Sequence, residues 1–321
     1  MGTAIGKFSS LRELNALNRI FTDSMNELPA FKKTRIAPTP SGFLHLGNIL
    51  SFVLTTALAR RTGAKILLRI DDLDRDRVNR NYVQDIFDTL HFLDIPWDEG
   101  PCDFAAYEKE YSQLHRMEMY RHALEQLEET GHVFACTCPR SRSIHDNSDD
   151  VYTGTCRQNE TPLNAGNARW RLHTTDERKL AIKTLAGSLV KATLPKEMQD
   201  FIVRRKDHFP TYQLASVLDD LYYGIDLIVR GDDLWHSTLA QHYLSFSLKQ
   251  DHFRDITFYH HPLLMDSKDR KLSKSAGDTS IHYLRQQGWK PADIYSRIAD
   301  MLGKKTTVGS WEGLVKALGV F

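Results

Sequence analysis

The chain has 321 residues, with Lys+Arg 42 against Asp+Glu 41 and a formal net charge of +1. Hydrophobic residues at 41% and aromatic residues at 10% exclude intrinsic disorder, and 18 Gly with 11 Pro exclude collagen-like and low-complexity chains. No apolar run approaches the roughly 20 residues of a membrane-spanning helix, and Cys102, Cys136, Cys138 and Cys156 are too few and too unevenly spaced for a secreted disulfide framework.

Leu11, Leu14, Leu17, Phe21, Met25 and Leu28 recur at helical steps behind Ser10, which predicts an amphipathic helix over 11–28 stopped by Pro29. The same stretch lacks the apolar segment of a signal peptide and carries Glu13, Asp23 and Glu27, which a transit peptide would avoid, so the expected compartment is the cytoplasm. From Thr34 strands alternate with helices. A strand over 34–37 runs into the rigid loop Pro38-Thr39-Pro40-Ser41-Gly42, followed by a helix over 49–58 and the apolar strand Lys65–Ile70. Helices over 82–93 and 107–129 follow. The stretch 136–168 turns polar and is too long for a plain loop. Strands over 201–204, 225–229 and 256–260 then alternate with helices over 211–220 and 234–248, and short helices over 281–287 and 292–302 close the chain. This rhythm predicts an α/β fold with a doubly wound (Rossmann-type) parallel sheet split by an insertion. The expected division is an extension over 1–31, the first half of the α/β domain over 32–133, the insertion over 134–199, the second half over 200–275 and a short helical C-terminus over 276–321.

Two motifs flank this sheet. Between the first strand and the first helix stands Pro40-Ser41-Gly42-Phe43-Leu44-His45-Leu46-Gly47-Asn48, where an open α/β sheet binds ligands. Gly47 admits close approach to the backbone, the helix N-terminus favours anions, and His45 and Asn48 have hydrogen bonds to offer a phosphate. After the last strand comes Lys271-Leu272-Ser273-Lys274-Ser275, whose ammonium groups suit a polyphosphate. Each motif alone is commonplace.

Together they resemble the paired signatures of class I aminoacyl-tRNA synthetases. Arg35-Ile36-Ala37-Pro38-Thr39-Pro40-Ser41-Gly42, Arg69-Ile70-Asp71-Asp72 and Val229-Arg230-Gly231-Asp232-Asp233-Leu234 resemble the glutamyl branch, in the right order across about 34–275. The resemblance implies a ligase that joins glutamate to ATP, with Mg as a counter-charge. His45, Asn48, Lys271 and Lys274 would bind ATP, and His45 and Lys274 would act in catalysis. Arg35, Ala37, Thr39, Asp71, Tyr212 and Arg230 would contact glutamate, the two arginines by forked pairing with a carboxylate. Two positions depart from the family: Thr39 stands where Ser is usual, and Asp71 where Glu is usual. Asp71 keeps a charge for an ammonium group but is one methylene shorter, and glutaminyl relatives carry Asp here.

Cys136-Thr137-Cys138 with Cys156 offers three thiolates to one metal ion, and tetrahedral zinc needs a fourth ligand. Generic zinc chemistry favours His145. The Cys-x-Cys…Tyr-x-x-x-Cys layout, however, resembles the zinc site of glutamyl-queuosine tRNA(Asp) synthetases, shortened paralogues of the glutamyl enzymes, and that resemblance implies Tyr152 together with one structural zinc. Residues 276–321 are too few for the helical anticodon-binding region of a full glutamyl-tRNA synthetase. The resemblance to the shortened paralogues implies tRNA(Asp) as the partner, with glutamate transferred to queuosine in its anticodon. Arg140, Arg142, Arg157, Arg169, Arg171, Arg204, Arg205 and Lys206 are candidates for a phosphate-binding face. Competing readings are a reduced glutamyl- or glutaminyl-tRNA synthetase, a non-catalytic RNA-binding protein on a synthetase body, and a nucleotidyltransferase that adenylates another small acid.

Overall fold

The computed structural model describes residues 28–138, 152–265 and 280–319. The helix expected over 11–28 falls outside these but for its last residue, and so do His145, Lys271 and Lys274. The chain forms two compact units, one of residues 1–111, 227–232 and 259–321, the other of residues 112–226 and 233–258.

In the first unit β1 (Lys33–Ile36) pairs in parallel with β2 (Lys65–Leu68), Lys33 opposite Lys65 and Ile36 opposite Leu68. The crossover between them is α1 (Leu46–Thr62). It exceeds the expected 49–58 at both ends because His45 caps its first turn and Gly63, at φ 79, ends it in the left-handed conformation. Ile49, Val53, Ala57 and Leu58 are buried on one side, and Leu50, Leu54 and Ala59 on another. An apolar residue thus faces inward nearly all round, as suits a helix packed between strands and further helices. It lies against β1, β2 and β8 (Leu227–Gly231), and against α7 (Pro291–Met301) and α8 (Trp311–Leu318). Strand β2 is closed over by the segment 98–100: Leu68 N donates to Glu99 O at 2.9 Å. Gly100 is required there, because at φ +100 any Cβ would lie 2.2 Å from the Leu68 carbonyl oxygen. Helices α2 (Arg80–Phe92) and α6 (Ile281–Gln286) complete this unit.

The expected helix over 107–129 is not continuous. Tyr107–Tyr111 is a π turn, Gln113–Arg116 a 3-10 turn, and only Met117–Glu129 is α-helix, α3. The break falls where the chain passes from one unit to the other. It is held on each side by local bonds: the Tyr107 hydroxyl donates to Asp72 at 2.7 Å, and the Ser112 hydroxyl accepts from Leu114 N at 3.2 Å.

The second unit packs α3 against α4 (Tyr212–Tyr222) around the buried Asp219. That carboxylate accepts from Arg116 Nε at 2.8 Å, Gln113 Nε2 at 2.8 Å and the Tyr120 hydroxyl at 2.6 Å, so a charge in the core is fully partnered. Strands β3 (Val133–Cys136), β4 (Arg169–Leu172) and β7 (Ile202–Arg204) form an antiparallel sheet in the order β3-β4-β7. The hairpin of β5 (Leu180–Thr184) and β6 (Leu189–Ala192) joins the beginning of β9 (Thr257–His261), Lys183 pairing in parallel with Thr257. Helix α5 (Trp235–Ser247) packs on β5. The fold class is thus α/β with parallel pairing, and an insertion that carries its own antiparallel strands.

Candidate active site and cysteine cluster

The loop leaving β1 alternates in burial. Pro38 and Pro40 pack inward, while Ala37, Thr39 and Ser41 stay half-open. Two prolines fix the backbone torsions of this extended path, and it is bonded to the strand beside it: Arg69 N donates to Ile36 O at 2.9 Å and Asp71 N to Pro38 O at 3.0 Å. Ala37, Thr39 and Asp71 are therefore placed by one hydrogen-bonded ladder.

The next turn belongs to His45. Its Nδ1 accepts from Gly47 N at 3.1 Å, and the Asn48 side-chain oxygen accepts from His45 N at 3.0 Å, a reciprocal cap on α1. Because Nδ1 accepts, the ring proton sits on Nε2 in the neutral imidazole. The same bond requires a close approach: a Cβ on Gly47 would stand 3.0 Å from His45 Cε1 and 3.1 Å from Nδ1. His45, Gly47, Asn48 and Ser51 are half-buried while Leu46, Ile49 and Leu50 are buried, so these polar residues share the open side of the first two turns. Ser51 Oγ lies 2.6 Å from His261 Nε2, at the end of β9.

Arg35 and Arg230 sit on neighbouring strands, both buried. Arg35 Nη1 donates to Val229 O at 3.4 Å, so its guanidinium reaches the backbone one residue from Arg230. Two guanidinium groups held below the surface at the strand ends suit a small dianion. Asp71, also buried, is gripped by Arg69 in a forked pair, Nε to Oδ1 at 2.7 Å and Nη2 to Oδ2 at 3.2 Å. Arg69 is a site residue that sequence reasoning passed over. The signal was available, since residues 69 and 71 lie two apart in extended backbone and face the same side. Asp72 carries a separate network, accepting from Arg75 Nη1 at 2.8 Å and from Tyr107. Burial and the adjacent Asp72 charge raise the Tyr107 phenol above its usual range. Tyr212 begins α4 in the second unit and is 40% exposed.

The cysteine cluster lies wholly in the second unit. The sulfurs of Cys136, Cys138 and Cys156 all fall within 4.8 Å of one another, with Cys138 and Cys156 3.2 Å apart and no disulfide formed. Tyr152 belongs to the same cluster: its hydroxyl oxygen accepts from Cys156 N at 2.8 Å, and its ring packs against the cysteines with Phe134. Arg171 stacks on that ring at 3.7 Å. Burial alone would raise the Cys136 thiol, but hydrogen bonds from Arg171 and the Cys138 backbone bring it below the ordinary range. Burial and the bond to Cys156 push Cys138 up to about 11. Three converging sulfurs fit a metal ion that takes soft ligands.

The basic face expected on the insertion is largely absorbed by the fold. Arg157 donates to Thr174 O at 2.6 Å and pairs with Asp200, Arg169 donates to Cys138 O at 2.9 Å, and Arg171 to Asp200 O at 2.8 Å. Arg204 is buried over the Trp170 ring, 4.0 Å from its centroid. These guanidinium groups bond the backbone of the polar segments around the small apolar cluster of Phe134 and the cysteines. Arg140 and Arg142 lie outside the described residues.

The family model for tRNA synthetases class I (E and Q), catalytic domain, matches residues 32–307. The chain belongs to this family. Among class I synthetase relatives it is 36% identical over 273 residues to the glutamyl-Q tRNA(Asp) synthetase of Synechococcus sp. (strain CC9605), covering 84% of this chain and 82% of that protein. It is 33% identical over 285 residues to the glutamyl-Q tRNA(Asp) synthetase of Symbiobacterium thermophilum, covering 84% and 86%. The glutamate–tRNA ligase of Desulfosudis oleivorans is 33% identical over 275 residues, 83% of this chain but 55% of that one; the chain spans little more than half the length of such ligases. The glutamate–tRNA synthetase structure from Elizabethkingia anophelis superposes with a TM-score of 0.69 at 21% identity, over 89% of this chain and 65% of that one, which places the class I synthetase fold. Among the described residues no helix is long and apolar enough to cross a membrane.

Proposed function

We propose that this protein activates glutamate with ATP and transfers it to queuosine in the anticodon of tRNA(Asp). The observation that supports this reading most is the coverage of relatives: the chain spans 82% and 86% of two glutamyl-Q tRNA(Asp) synthetases, against 55% of a glutamate–tRNA ligase at similar identity.

In the first step the glutamate α-carboxylate attacks the α-phosphorus of ATP and pyrophosphate leaves. In the second, a queuosine hydroxyl attacks the carbonyl of the adenylate and AMP leaves. The protein's work is to set anions against each other and to stabilise the charge that develops. Arg35 and Arg230 take the side-chain carboxylate. Asp71 takes the ammonium group, its carboxylate held in orientation by the Arg69 fork. Ala37 and Thr39 line the half-open strip of the same loop, and Tyr212 is a further glutamate contact by its match to the family motif. His45 presents Nε2–H toward phosphate, and Asn48, whose side-chain oxygen is already engaged, presents its amide N–H. Lys271 and Lys274 complete the charge balance, Lys274 at the α-phosphate, with Mg as counter-charge to ATP.

Cys136, Cys138 and Cys156 would hold one zinc ion, with Tyr152 as fourth ligand, and the zinc would supply a structural crosslink for the insertion. The expected division is a catalytic α/β domain in two halves, 32–133 and 200–275, an insertion over 134–199, and short flanking segments over 1–31 and 276–321. The working compartment would be the cytoplasm, where tRNA is found.

The test is mass spectrometry of tRNA nucleosides from cells lacking the protein. Loss of glutamylated queuosine is expected, and its persistence would refute the reading. A second reading, glutamate transfer to a tRNA 3′ end, is favoured by the glutamate–tRNA ligases of comparable identity. Acceptance by tRNA(Asp) lacking queuosine would select it.

A further inference from the structure

Residues 280–282 meet the His45 turn within the first unit. Ile281 N donates to Leu44 O at 2.7 Å, and Ser280 forms an antiparallel bridge with His45. The next side chain, His282, stacks flat on Phe43, with ring centroids 4.0 Å apart and planes 8° from parallel. Tyr82 of α2 meets the same Phe43 ring edge-on at 4.9 Å. His282 Nδ1 lies 3.1 Å from Asp85 Oδ1, also on α2, and its Nε2 lies 2.9 Å from Gln286 Nε2. An ionised carboxylate only accepts, so Nδ1 donates to it and the Gln286 amide completes the ring.

Asp85 is 3% exposed, an expensive place for a carboxylate, and its burial raises its pKa above the usual range. The groups that offset this arrive from α6: His282, and Arg285 with Nη1 at 3.3 Å. Thr89 adds a hydroxyl at 3.3 Å. Helix α6 is only six residues long, too short to hold itself, and its docking rests on this polar contact and on the buried Ile281 and Leu284.

We infer that Phe43, His282 and Asp85 form a clamp that positions the His45 turn for ATP. The inference rests on the reading that His45 contacts ATP. The clamp touches no reacting atom. It holds the backbone at Leu44 and His45 through the Ile281 bond, the Ser280 bridge and the Phe43 stack, so that the capped imidazole keeps one orientation. Two elements far apart in sequence are thereby joined at one end of α1.

The test compares Phe43→Ala, His282→Ala and His282→Phe, the last of which keeps the stack and loses the Asp85 bond. Amide hydrogen exchange of a peptide covering 43–50 reads the turn directly. It should quicken at least tenfold in the two alanine variants and between threefold and tenfold in His282→Phe. In ATP–pyrophosphate exchange, KM for ATP should rise at least fivefold in the alanine variants while KM for glutamate stays within twofold. Should an alanine variant not fold, Asp85→Asn replaces it, with exchange at 43–50 expected to quicken at least threefold. Unchanged amide exchange in folded variants overturns the clamp, and so does a loss of global stability with no change confined to 43–50. If the parent protein shows no pyrophosphate exchange while the variants lose protection at 43–50 as stated, the clamp stands and the assignment of ATP activation falls.

Discussion

Replacing Gly47 with alanine should separate stability from ATP use. Alanine at a helical position gains about 0.5–1 kcal/mol over glycine. Its Cβ, however, would stand 3.0 Å from His45 Cε1 and 3.1 Å from Nδ1, so the imidazole must retreat by a few tenths of an ångström. That retreat weakens the bond from Gly47 N to Nδ1, a cap contact worth about 1 kcal/mol. The two effects nearly cancel, and the variant should unfold within about 1 kcal/mol of the parent in urea. ATP use should not be spared: a 1 Å misplacement in an enzyme site can cost about 100-fold, so a shift of a few tenths should lower kcat/KM for ATP about tenfold in pyrophosphate exchange, or about 1.4 kcal/mol. A variant equally stable and fully active would refute the placement of His45 at ATP. One destabilised by more than about 3 kcal/mol would show that the ring cannot retreat, refuting the packing argument.

Replacing Arg69 with methionine leaves Asp71 buried without its fork, and removal of one partner of a buried pair costs about 3–5 kcal/mol; urea unfolding within about 1 kcal/mol of the parent would contradict this. Gly100→Ala should destabilise by more than about 2 kcal/mol, because the new Cβ falls 2.2 Å from the Leu68 oxygen at a strained φ; normal stability would mean the contact is not made in solution. Elemental analysis should find one zinc per chain, and stripping it with a strong chelator should increase protease sensitivity within 136–168 before the rest of the protein is cut. Equal sensitivity with and without the metal would remove its structural role.

The β1-α1-β2 framework was legible because each piece combined a local signal with a global one. KILL reads as a buried strand and the apolar run over 49–58 as a helix, although the caps at His45 and Gly63 that extend it went unread. The His45 motif was legible only in combination with the Lys271–Ser275 motif, since each alone is commonplace, and the cysteines because three thiols in a polar stretch suit one metal ion. Other features were hidden. The break at Ser112 lies inside a stretch whose apolar spacing suits one long helix, and only the passage between units makes the interruption necessary. Strands β4 to β6 sit in a stretch where six of the 24 residues 169–192 are arginine or lysine, and the Arg-x-Arg alternation of β4 reads as surface charge until Trp170 and Leu172 are seen inside. Helix α8 had signals that went unread, with Ser310 capping its start and Gly319 at φ 70 ending it. Arg69, Asp85 and His282 act through partners distant in sequence or fixed by extended backbone, which composition and motif do not reveal.

The central claim is that glutamate activated by ATP passes to a modified base and not to a tRNA end. It is tested most directly by incubating the purified protein with labelled glutamate, ATP and tRNA(Asp), prepared with and without queuosine. Label should appear only on the queuosine-containing tRNA and should be recovered in an anticodon-loop fragment after nuclease digestion. Label at the 3′-terminal adenosine, or equal labelling of both tRNAs, would contradict it.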